Sequence, residues 1–163
     1  MVSVSDGRKV TLSPESGELA KSVHDLIRVL LRYLQPVVET EGISKGQFWV
    51  MHVLSNCDTG SVNDVAQRLS LSAPSVSVTV DQLEKAGLVT RVRSASDRRT
   101  VNLTLTPKGR GVEERVWGKI ERQIADVIAD LPRSDVAITV QVIRELSKRL
   151  DTIPDSSRED LAK

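Results

Sequence analysis

The chain has 163 residues, of which 39% are hydrophobic, and its net charge is +1, which fits one globular domain or two small domains closely joined. One Phe, one Tyr and two Trp are its only aromatic residues, so the core must consist mainly of Leu, Val and Ile, as in helices packed on helices. This composition excludes a disordered chain, and no apolar run approaches the roughly 20 residues that a helix needs to span a membrane.

The N-terminal sequence and the single cysteine indicate in which cellular compartment the protein is expected. The opening residues, MVSVSDGRKVTLS, lack the apolar segment of a signal peptide. Cys57 has no partner for an intramolecular disulfide, which suits a reducing compartment. We therefore expect a cytoplasmic protein that makes no contact with a membrane.

The first helical pattern lies between Glu15 and Val38. Its apolar residues recur at the spacing of one helix face: Leu19, Val23, Leu26, Ile27, Leu30, Leu34 and Val37. Pro36 is expected to kink or end this helix, and Gly42 to end the segment. Residues 1–14 and 154–163 are polar without a sustained period, so we expect a flexible N-terminal segment and a flexible tail.

Two shorter helices follow, and each begins with a capping signature. Ser44, with Gln47 three residues further on, precedes an apolar stripe of about three turns. After a turn-like segment, Ser61 and Asp64 precede a short amphipathic helix.

A further short helix is predicted in the stretch SLSAPSVSVTVDQLEKAGLV. Ser72 is placed as its N-cap, Pro74 is tolerated in its first turn, and Gly87 supplies its C-terminal stop. Two short helices joined by a tight turn, the second opening on small hydroxyl residues, are typical of a helix-turn-helix. Many helical domains pack such a pair for stability alone, so this pattern by itself leaves a purely structural role open.

A two-stranded ribbon follows this helix directly. Residues 89–94 and 101–105 are predicted strands, since Val101, Leu103 and Leu105 alternate with polar residues, and residues 95–100 form the turn between them. A helix-turn-helix with an attached ribbon is a winged helix. The expected fold class is mainly α with a two-stranded β wing.

Positive charge is concentrated in the same part of the chain. Between Lys85 and Arg110, seven cationic side chains stand against Asp97 alone, a net charge of +6 that needs an anionic partner or a solvated face. A ribbon tip beside a helix in the major groove of DNA lies over the adjacent minor groove, where arginines meet concentrated negative potential. The alternative is that Arg98 and Arg99 only solvate the tip of the hairpin.

From Val62 through Gly109 the sequence resembles the DNA-binding domain of the MarR (multiple antibiotic resistance regulator) family. The most specific element is the wing signature, an Asp, any residue and an Arg, then a strand closing on Leu-Thr and a Gly opening the next helix. Here these residues are Asp97, Arg99, Leu105, Thr106 and Gly109. The resemblance implies a dimeric transcriptional regulator, usually a repressor, in which the terminal helices of two chains interlock. It also implies that Arg99 enters the minor groove while Asp97 holds it in place.

The chemistry of the expected DNA contacts can be stated residue by residue. A carboxylate two residues away can hold the guanidinium of Arg99 in one orientation before insertion, although Asp97 also suits a turn through its own hydrogen bonds. The recognition helix lacks the central Arg or Lys of many relatives. Hydroxyl groups, a contact of Val78 with a thymine methyl and groove shape are therefore expected to read the DNA, while first-turn N–H groups seat a phosphate. The predicted DNA contacts are Ser72, Ala73, Ser75, Ser77, Val78, Arg91, Arg98 and Arg99, with Asp97 as the orienting residue.

The helices outside the winged region carry long apolar stripes. The stripe from Pro107 to Leu131 reaches well past a compact domain of roughly fifty residues, and the segment from Ser134 to Leu150 offers another. We expect residues 15–43 and 107–153 to form a helical dimerisation region and residues 44–106 a winged helix-turn-helix DNA-binding region. A monomeric intrachain three-helix bundle is the alternative.

Catalytic and metal-binding patterns are thin. The chain has no Cys-x-x-Cys or His-Glu-x-x-His motif, and its paired carboxylates have no activating context, so we expect no enzyme, no cofactor and no resident metal. Zinc sensing through His24, His52 and Cys57, or peroxide sensing by Cys57, is a weaker alternative. The family resemblance also implies a small aromatic or phenolic effector bound between the dimerisation helices and the winged helix. Candidate residues for that site are Arg28, Tyr33, Trp49 and His52.

Together these patterns predict a sequence-specific transcriptional regulator. We expect it to bind double-stranded DNA as a homodimer at a pseudo-palindromic operator, and the resemblance to the MarR family implies that it acts as a repressor. Two functions of other classes compete with this prediction: a winged-helix module that binds another protein, and an architectural protein that binds DNA without sequence preference.

Overall fold

The computed structural model describes residues 13–57, 60–93 and 101–152. Within these ranges the elements follow one another in this order: α1 (Pro14–Glu39), α2 (Lys45–Ser55), α3 (Val62–Leu69), α4 (Ala73–Lys85), β1 (Val89–Arg93), β2 (Val101–Leu105), α5 (Pro107–Val127) and α6 (Arg133–Asp151). The predicted fold class, mainly α with a two-stranded β wing, is confirmed. The segments predicted to be flexible lie almost entirely outside the described residues, as do residues 94–100 at the tip of the ribbon.

The predicted capping boxes at the starts of α2 and α3 are confirmed. Ser44 Oγ accepts from the N–H of Gln47 at 3.2 Å, and the Gln47 side chain accepts from the N–H of Ser44 at 2.8 Å. Ser61 and Asp64 make the same reciprocal pair at 3.2 and 2.8 Å. Each box satisfies two backbone donors that a helix start leaves without a partner, so both helix starts are set by local sequence.

The end of α1 differs slightly from the prediction. The helix continues for three residues beyond Pro36, to Glu39, so the proline does not end it directly. Proline removes only one backbone donor, and near a helix end little of the hydrogen-bond ladder remains to be interrupted. Gly42 then adopts a φ of +70°, which glycine tolerates, and the N–H of Ile43 returns to the carbonyl of Val38 at 3.3 Å.

The chain divides into two compact units, one of which comprises Leu26–Gln123. Within this unit α2, α3 and α4 pack on one another, and the antiparallel ribbon pairs Val89 with Leu105 and Arg93 with Val101. Its fully buried side chains are Phe48, Met51, Leu54, Leu83, Leu103, Val38, Val50, Val65, Val76, Val80, Val89 and Val116. Aliphatic residues therefore build most of this core, as the composition predicted.

The other unit contains the described residues 13–25 and 124–152. The predicted helix from Pro107 ends at Val127 rather than Leu131, because the next residues form tighter turns ahead of Pro132, which disfavours a helical conformation before it. None of the residues of α6, all of which the structure describes, is buried. Its apolar side chains are exposed instead, with Ile138 at 60% and Leu150 at 59%.

A tight backbone junction joins the ribbon to α5. Thr106 donates its N–H to the carbonyl of Leu88 at 3.0 Å and its Oγ1–H to the carbonyl of Gly87 at 2.8 Å. The same Oγ1 accepts from the N–H of Gly109 at 3.0 Å, so Thr106 caps α5 while it binds the segment that follows α4. A Cβ at Gly109 would lie 2.0 Å from the Leu88 carbonyl oxygen. The Leu-Thr-Pro-Lys-Gly run at residues 105–109 is thus a structural joint.

We expect Gly109→Ala to lower the free energy of unfolding by about 3 kcal/mol, because the added methyl group meets backbone rather than a movable side chain. Gly118→Ala, elsewhere in α5, is the matched control. A Cβ there meets nothing within 4 Å, so the change should stabilise the helix by up to about 1 kcal/mol. Urea unfolding of both variants measures the difference, and equal stability of Gly109→Ala and the parent would contradict the close approach.

A group of hydrogen bonds and ion pairs links the turn after α1 to α5. Glu41 accepts from Arg115 Nε at 3.0 Å and from Lys119 Nζ at 2.9 Å, and Lys119 also donates to Thr40 at 2.7 Å. Hydrogen bonds from Arg115 and Lys119 hold the pKa of Glu41 below its ordinary value of 4.5. The carboxylate form of Glu41 therefore favours the folded state.

The contribution of Glu41 to stability should depend on pH. Because its folded pKa is depressed, the contribution is complete above the unfolded value near 4.5 and disappears as pH falls through the lower folded value. Glu41→Gln should thus be less stable than the parent at pH 7, and the gap should shrink at pH 3. Urea midpoints at the two pH values measure it, and a gap that stays constant would show that ionisation of Glu41 has no part in it.

Candidate nucleic-acid interface

The helix-turn-helix consists of α3, a short turn and α4. Ser70 ends α3 in the left-handed region, with a φ of 52°, and the N–H of Leu71 donates to the carbonyl of Ala66 at 2.9 Å. α4 then begins at Ala73, with Ser72 as its N-cap and Pro74 in its first turn, as predicted. Gly87, with a φ of +70°, turns the chain out of α4 and into the ribbon.

The two faces of α4 differ sharply in burial. Val76, Val80 and Leu83 are fully buried against the core. On the other side Val78 is 58% exposed. Of the predicted contacts on this helix, Ser72 and Ser75 are exposed, and Ala73 and Ser77 are half-buried. The structure therefore brings all five predicted contacts of this region to one helix and its cap.

The start of α4 already uses some of its polar groups. Ser72 Oγ accepts from the N–H of Ser75 at 3.3 Å, and the two hydroxyl oxygens lie 2.7 Å apart. The Ser75 N–H, which was expected to seat a phosphate, is thus bound within the protein. The hydroxyl groups, whose oxygens retain accepting capacity, remain at the exposed start of the helix.

Arg91 lies on β1 with its guanidinium turned toward α4. It donates to Asp81 Oδ1 at 2.6 Å and to Glu84 Oε2, and its side chain is 31% exposed. The hydrogen bond to Asp81 and the charge of Glu84 raise the pKa of Arg91 above its ordinary value, so this cation stays charged. Neither acidic partner was predicted from the sequence. The signal that could have found them is their spacing, because residues three apart share a helix face.

The tip of the wing lies outside the described residues, and with it Asp97, Arg98 and Arg99. The described strands pair up to Arg93 and Val101, so the predicted ribbon exists on both sides of the tip. Two of the cationic residues counted along the sequence have structural partners. Lys108 donates to the carbonyl of Ala86 at 2.9 Å, and Arg91 is paired with two carboxylates. Counting those two carboxylates lowers the local net charge from +6 to +4.

The predicted effector residues fall into two environments. Trp49 and His52 belong to one aromatic cluster, in which the His52 ring stacks on Trp117 with 4.4 Å between ring centroids. His52 Nδ1 lies 2.7 Å from a carboxylate oxygen of Glu113, a residue of α5 that is only 6% exposed. Arg28 and Tyr33 lie exposed on α1, Tyr33 at 52%. His52 is thus part of the packing between α2 and α5, through partners that were not predicted from the sequence.

A cavity of about 200 Å³ lies elsewhere in this unit, at α2 and α3. It is lined by Val53, Leu54, Cys57, Gly60, Asp64, Val65, Gln67 and Arg68, and none of the predicted effector residues is among them.

Within the described part of the chain, His24, His52 and Cys57 do not join any group of three metal-ligating side chains. The described helices include none that is long and apolar enough to cross a membrane.

The fold and this surface define a winged-helix protein, and sequence comparison places it in a family. The profile described as the MarR family matches residues 41–100. The HTH-type transcriptional regulator FarR of Neisseria gonorrhoeae is 26% identical over 124 residues, 76% of this chain and 85% of that protein. The homoprotocatechuate degradative operon repressor of Escherichia coli is 23% identical, over 80% of this chain and 86% of that protein. Residues 41–100 therefore match the MarR family, and over most of its length the chain is similar to transcriptional regulators.

Solved structures agree with this fold. A MarR family protein from Bacillus stearothermophilus has a TM-score of 0.80 at 22% identity and covers 88% of this chain and 100% of its own. Staphylococcus aureus MarR in complex with salicylate and kanamycin has a TM-score of 0.77 at 23% identity, and the match covers 85% of this chain and 94% of that one. Streptococcus pneumoniae FabT in complex with DNA has a TM-score of 0.71 at 21% identity, and the match covers 83% of this chain and 96% of that one. The winged helix and its flanking helices are shared throughout.

The N-cap of the recognition helix can be tested by itself. Ser72→Ala should lower the free energy of unfolding by about 1 kcal/mol, because the N–H of Ser75 loses its acceptor. Ser72→Asp should stay close to the parent, since Asp caps equally well, and Ser77→Ala, inside the same helix, should cost little. Urea unfolding of the three variants gives the comparison. Equal losses in Ser72→Ala and Ser77→Ala would show that the cap contributes nothing special.

Proposed function

We propose that this regulator is a repressor that binds a pseudo-palindromic operator sequence-specifically, as a homodimer. The observation that carries the proposal is the outward face of α4, where Val78 is 58% exposed between hydroxyl residues while Val76 and Val80 are fully buried. A helix of this kind can enter the major groove with its small side chains against base edges. The structure of Streptococcus pneumoniae FabT in complex with DNA, which shares the fold, supports DNA binding by this chain.

The proposed DNA contacts on α4 are made by small side chains, which tolerate more than one base at a given position. Ser72, Ala73 and Ser75 at the helix start meet a phosphate, and Ser77 with Val78 meets base edges, where the Val78 methyl groups suit a thymine methyl. Without a long cationic side chain among these residues, no bidentate contact with guanine is available on this face. Discrimination between sequences then depends strongly on groove shape.

The wing supplies the cationic part of the proposal. Arg99 enters the minor groove, Arg98 contacts the phosphate backbone, and Asp97 orients Arg99 without touching DNA. The ribbon strands that carry this tip pair over Val89–Arg93 and Val101–Leu105, with their base in the core. The described strands therefore provide a fixed base for the proposed contact with the minor groove.

Homodimerisation is supported by the apolar side chains that the terminal helices leave in solvent. α1 exposes Leu19, Val23, Leu26, Ile27, Leu30 and Leu31, each by at least 40%, and α6 exposes Ile138, Val140, Val142, Ile143 and Leu150. Monomeric soluble proteins rarely carry apolar surface on this scale. We propose that residues 15–43 and 107–153 form the dimer interface, and that residues 44–106 bind DNA.

A small aromatic or phenolic effector is the proposed signal that releases the operator. The structure of Staphylococcus aureus MarR with salicylate supports this chemistry for a protein of the same fold. On this chain we assign the site to Arg28, Tyr33, Trp49 and His52. His52 contacts α5 through Glu113 and Trp117, so a ligand that moved its ring would disturb the packing between α2 and α5.

DNA binding and the dimer are tested together with the full chain. The probe is a duplex carrying the region upstream of its own gene, and a random duplex of equal length is the matched control. We expect a footprint with two half-sites separated by roughly 10 base pairs, and affinity for the random duplex that is at least about 1,000-fold lower. The logarithm of affinity should fall steeply with the logarithm of salt, by roughly 0.9 per phosphate contacted. Light scattering after size exclusion should give twice the mass of the chain.

Other outcomes of the same measurements separate the competing functions. Equal affinity for both duplexes would indicate an architectural DNA binder, and no binding to either would indicate a protein-interaction module. A monomeric mass together with protection of one isolated half-site would contradict the homodimer.

A further inference from the structure

Arg91 occupies an inward position on the ribbon. Side chains alternate between the two faces of a strand, so Arg91 shares its face with Val89, which is 2% exposed, whereas Val92 on the other face is 51% exposed. Its partner across the ribbon is Leu103, which is fully buried. A cation on this face cannot point outward from the wing as the side chain of Val92 does.

The guanidinium meets two carboxylates of the recognition helix there. Asp81 and Glu84 are three residues apart on α4, which puts them on one side of the helix, and Arg91 binds one with each terminal nitrogen. The planar guanidinium suits this task because its donors diverge in fixed directions, whereas the ammonium of lysine is a single point of charge. The contact joins the recognition helix to the first strand of the wing.

We propose that Arg91 is a positioning residue that fixes the wing relative to α4, in place of the direct DNA contact predicted for it from sequence. This inference rests on the proposed DNA-binding function. The paired arrangement has two effects. It holds the base of the ribbon against the helix, and it offsets part of the negative charge of two carboxylates that would otherwise repel the phosphates beside the recognition helix.

A phosphate contact and a positioning role predict opposite results for one conservative substitution. Arg91→Lys keeps the positive charge, and that charge would be enough for a contact with a DNA phosphate. The lysine ammonium cannot, however, bind both carboxylates in the geometry of the guanidinium. Positioning therefore predicts that Arg91→Lys binds the upstream duplex about 3- to 10-fold more weakly, with an unchanged salt slope. Binding within two-fold of the parent would overturn the proposal.

The carboxylates supply the second arm of the test. Asp81→Asn combined with Glu84→Gln removes two negative charges near DNA, so electrostatics alone predicts tighter binding. Positioning predicts weaker binding, and it predicts that adding Arg91→Lys to this pair of changes causes little further loss, because the three residues act as one unit. Tighter binding by the double variant, or fully additive losses, would count against the role. Lys85→Gln, an exposed charge at the end of α4, is the matched control, and it should weaken binding with a lower salt slope.

Hydrogen exchange of the free protein makes the test independent of DNA. Backbone amides of β2 should exchange several-fold faster in Arg91→Lys and in the double carboxylate variant than in the parent, while Lys85→Gln leaves them unchanged. If the exchange of the β2 amides is unchanged in Arg91→Lys and in the double carboxylate variant, the positioning role is overturned even if both variants bind DNA more weakly. If the parent binds no DNA at all, the proposed function fails, and the exchange data still decide whether Arg91 holds the wing.

Discussion

The approach of α5 to the Leu88 carbonyl is the constraint on which the compact unit Leu26–Gln123 depends. Thr106 binds that carbonyl and the preceding one, and the lack of a side chain at Gly109 lets the first turn of α5 pass over it. Between Lys85 and Pro107 the chain leaves α4, runs out along β1, returns along β2 and starts α5. Because all four elements meet at this joint, the directions of the recognition helix, the wing and the connecting helix are set together.

The recognition surface combines a rigid inner face with an outer face of small groups. Val76, Val80 and Leu83 anchor α4 in the core, so its outer residues need no long side chains to hold them in place. Small hydroxyl and methyl groups lose little conformational entropy when they meet DNA, but each contributes little discrimination. The arginines of the wing are the natural complement to such a helix, since electrostatic contacts supply much of the affinity for DNA. Control over the position of the wing then matters as much as its charge.

Local patterns were enough to predict most of the fold. The capping boxes at Ser44 and Ser61, the N-cap at Ser72 and the turn at Gly87 each involve residues within a few positions of one another, and all were predicted from sequence. The second strand of the ribbon was predicted from the alternation of Val101, Leu103 and Leu105 with polar residues. In the first strand the same alternation places Arg91 on the inner face with Val89, whereas its charge alone suggested a direct contact with DNA.

Contacts between residues distant in the chain could not be predicted in this way. His52 and Glu113 are 61 residues apart, and only the packing of α2 on α5 brings a carboxylate against the imidazole. The same holds for Glu41 with Arg115 and Lys119, 74 and 78 residues away. A polar residue on a helix face gives no sign of which other helix it will meet, because many partners are compatible with the same pattern.

The exposed helices set a further condition on the proposed DNA-binding form. α6 has 19 residues, and most of the stability of a helix in a protein comes from the packing of its apolar face. In the proposed homodimer the partner chain covers that face, so association and helix stability are coupled. α5 runs from the Leu88 joint to Val127, within the range proposed for the dimer interface. The helix whose first turn is fixed at Gly109 therefore continues without a break into that range, so the stability of its C-terminal part would depend on association as well as on its first turn.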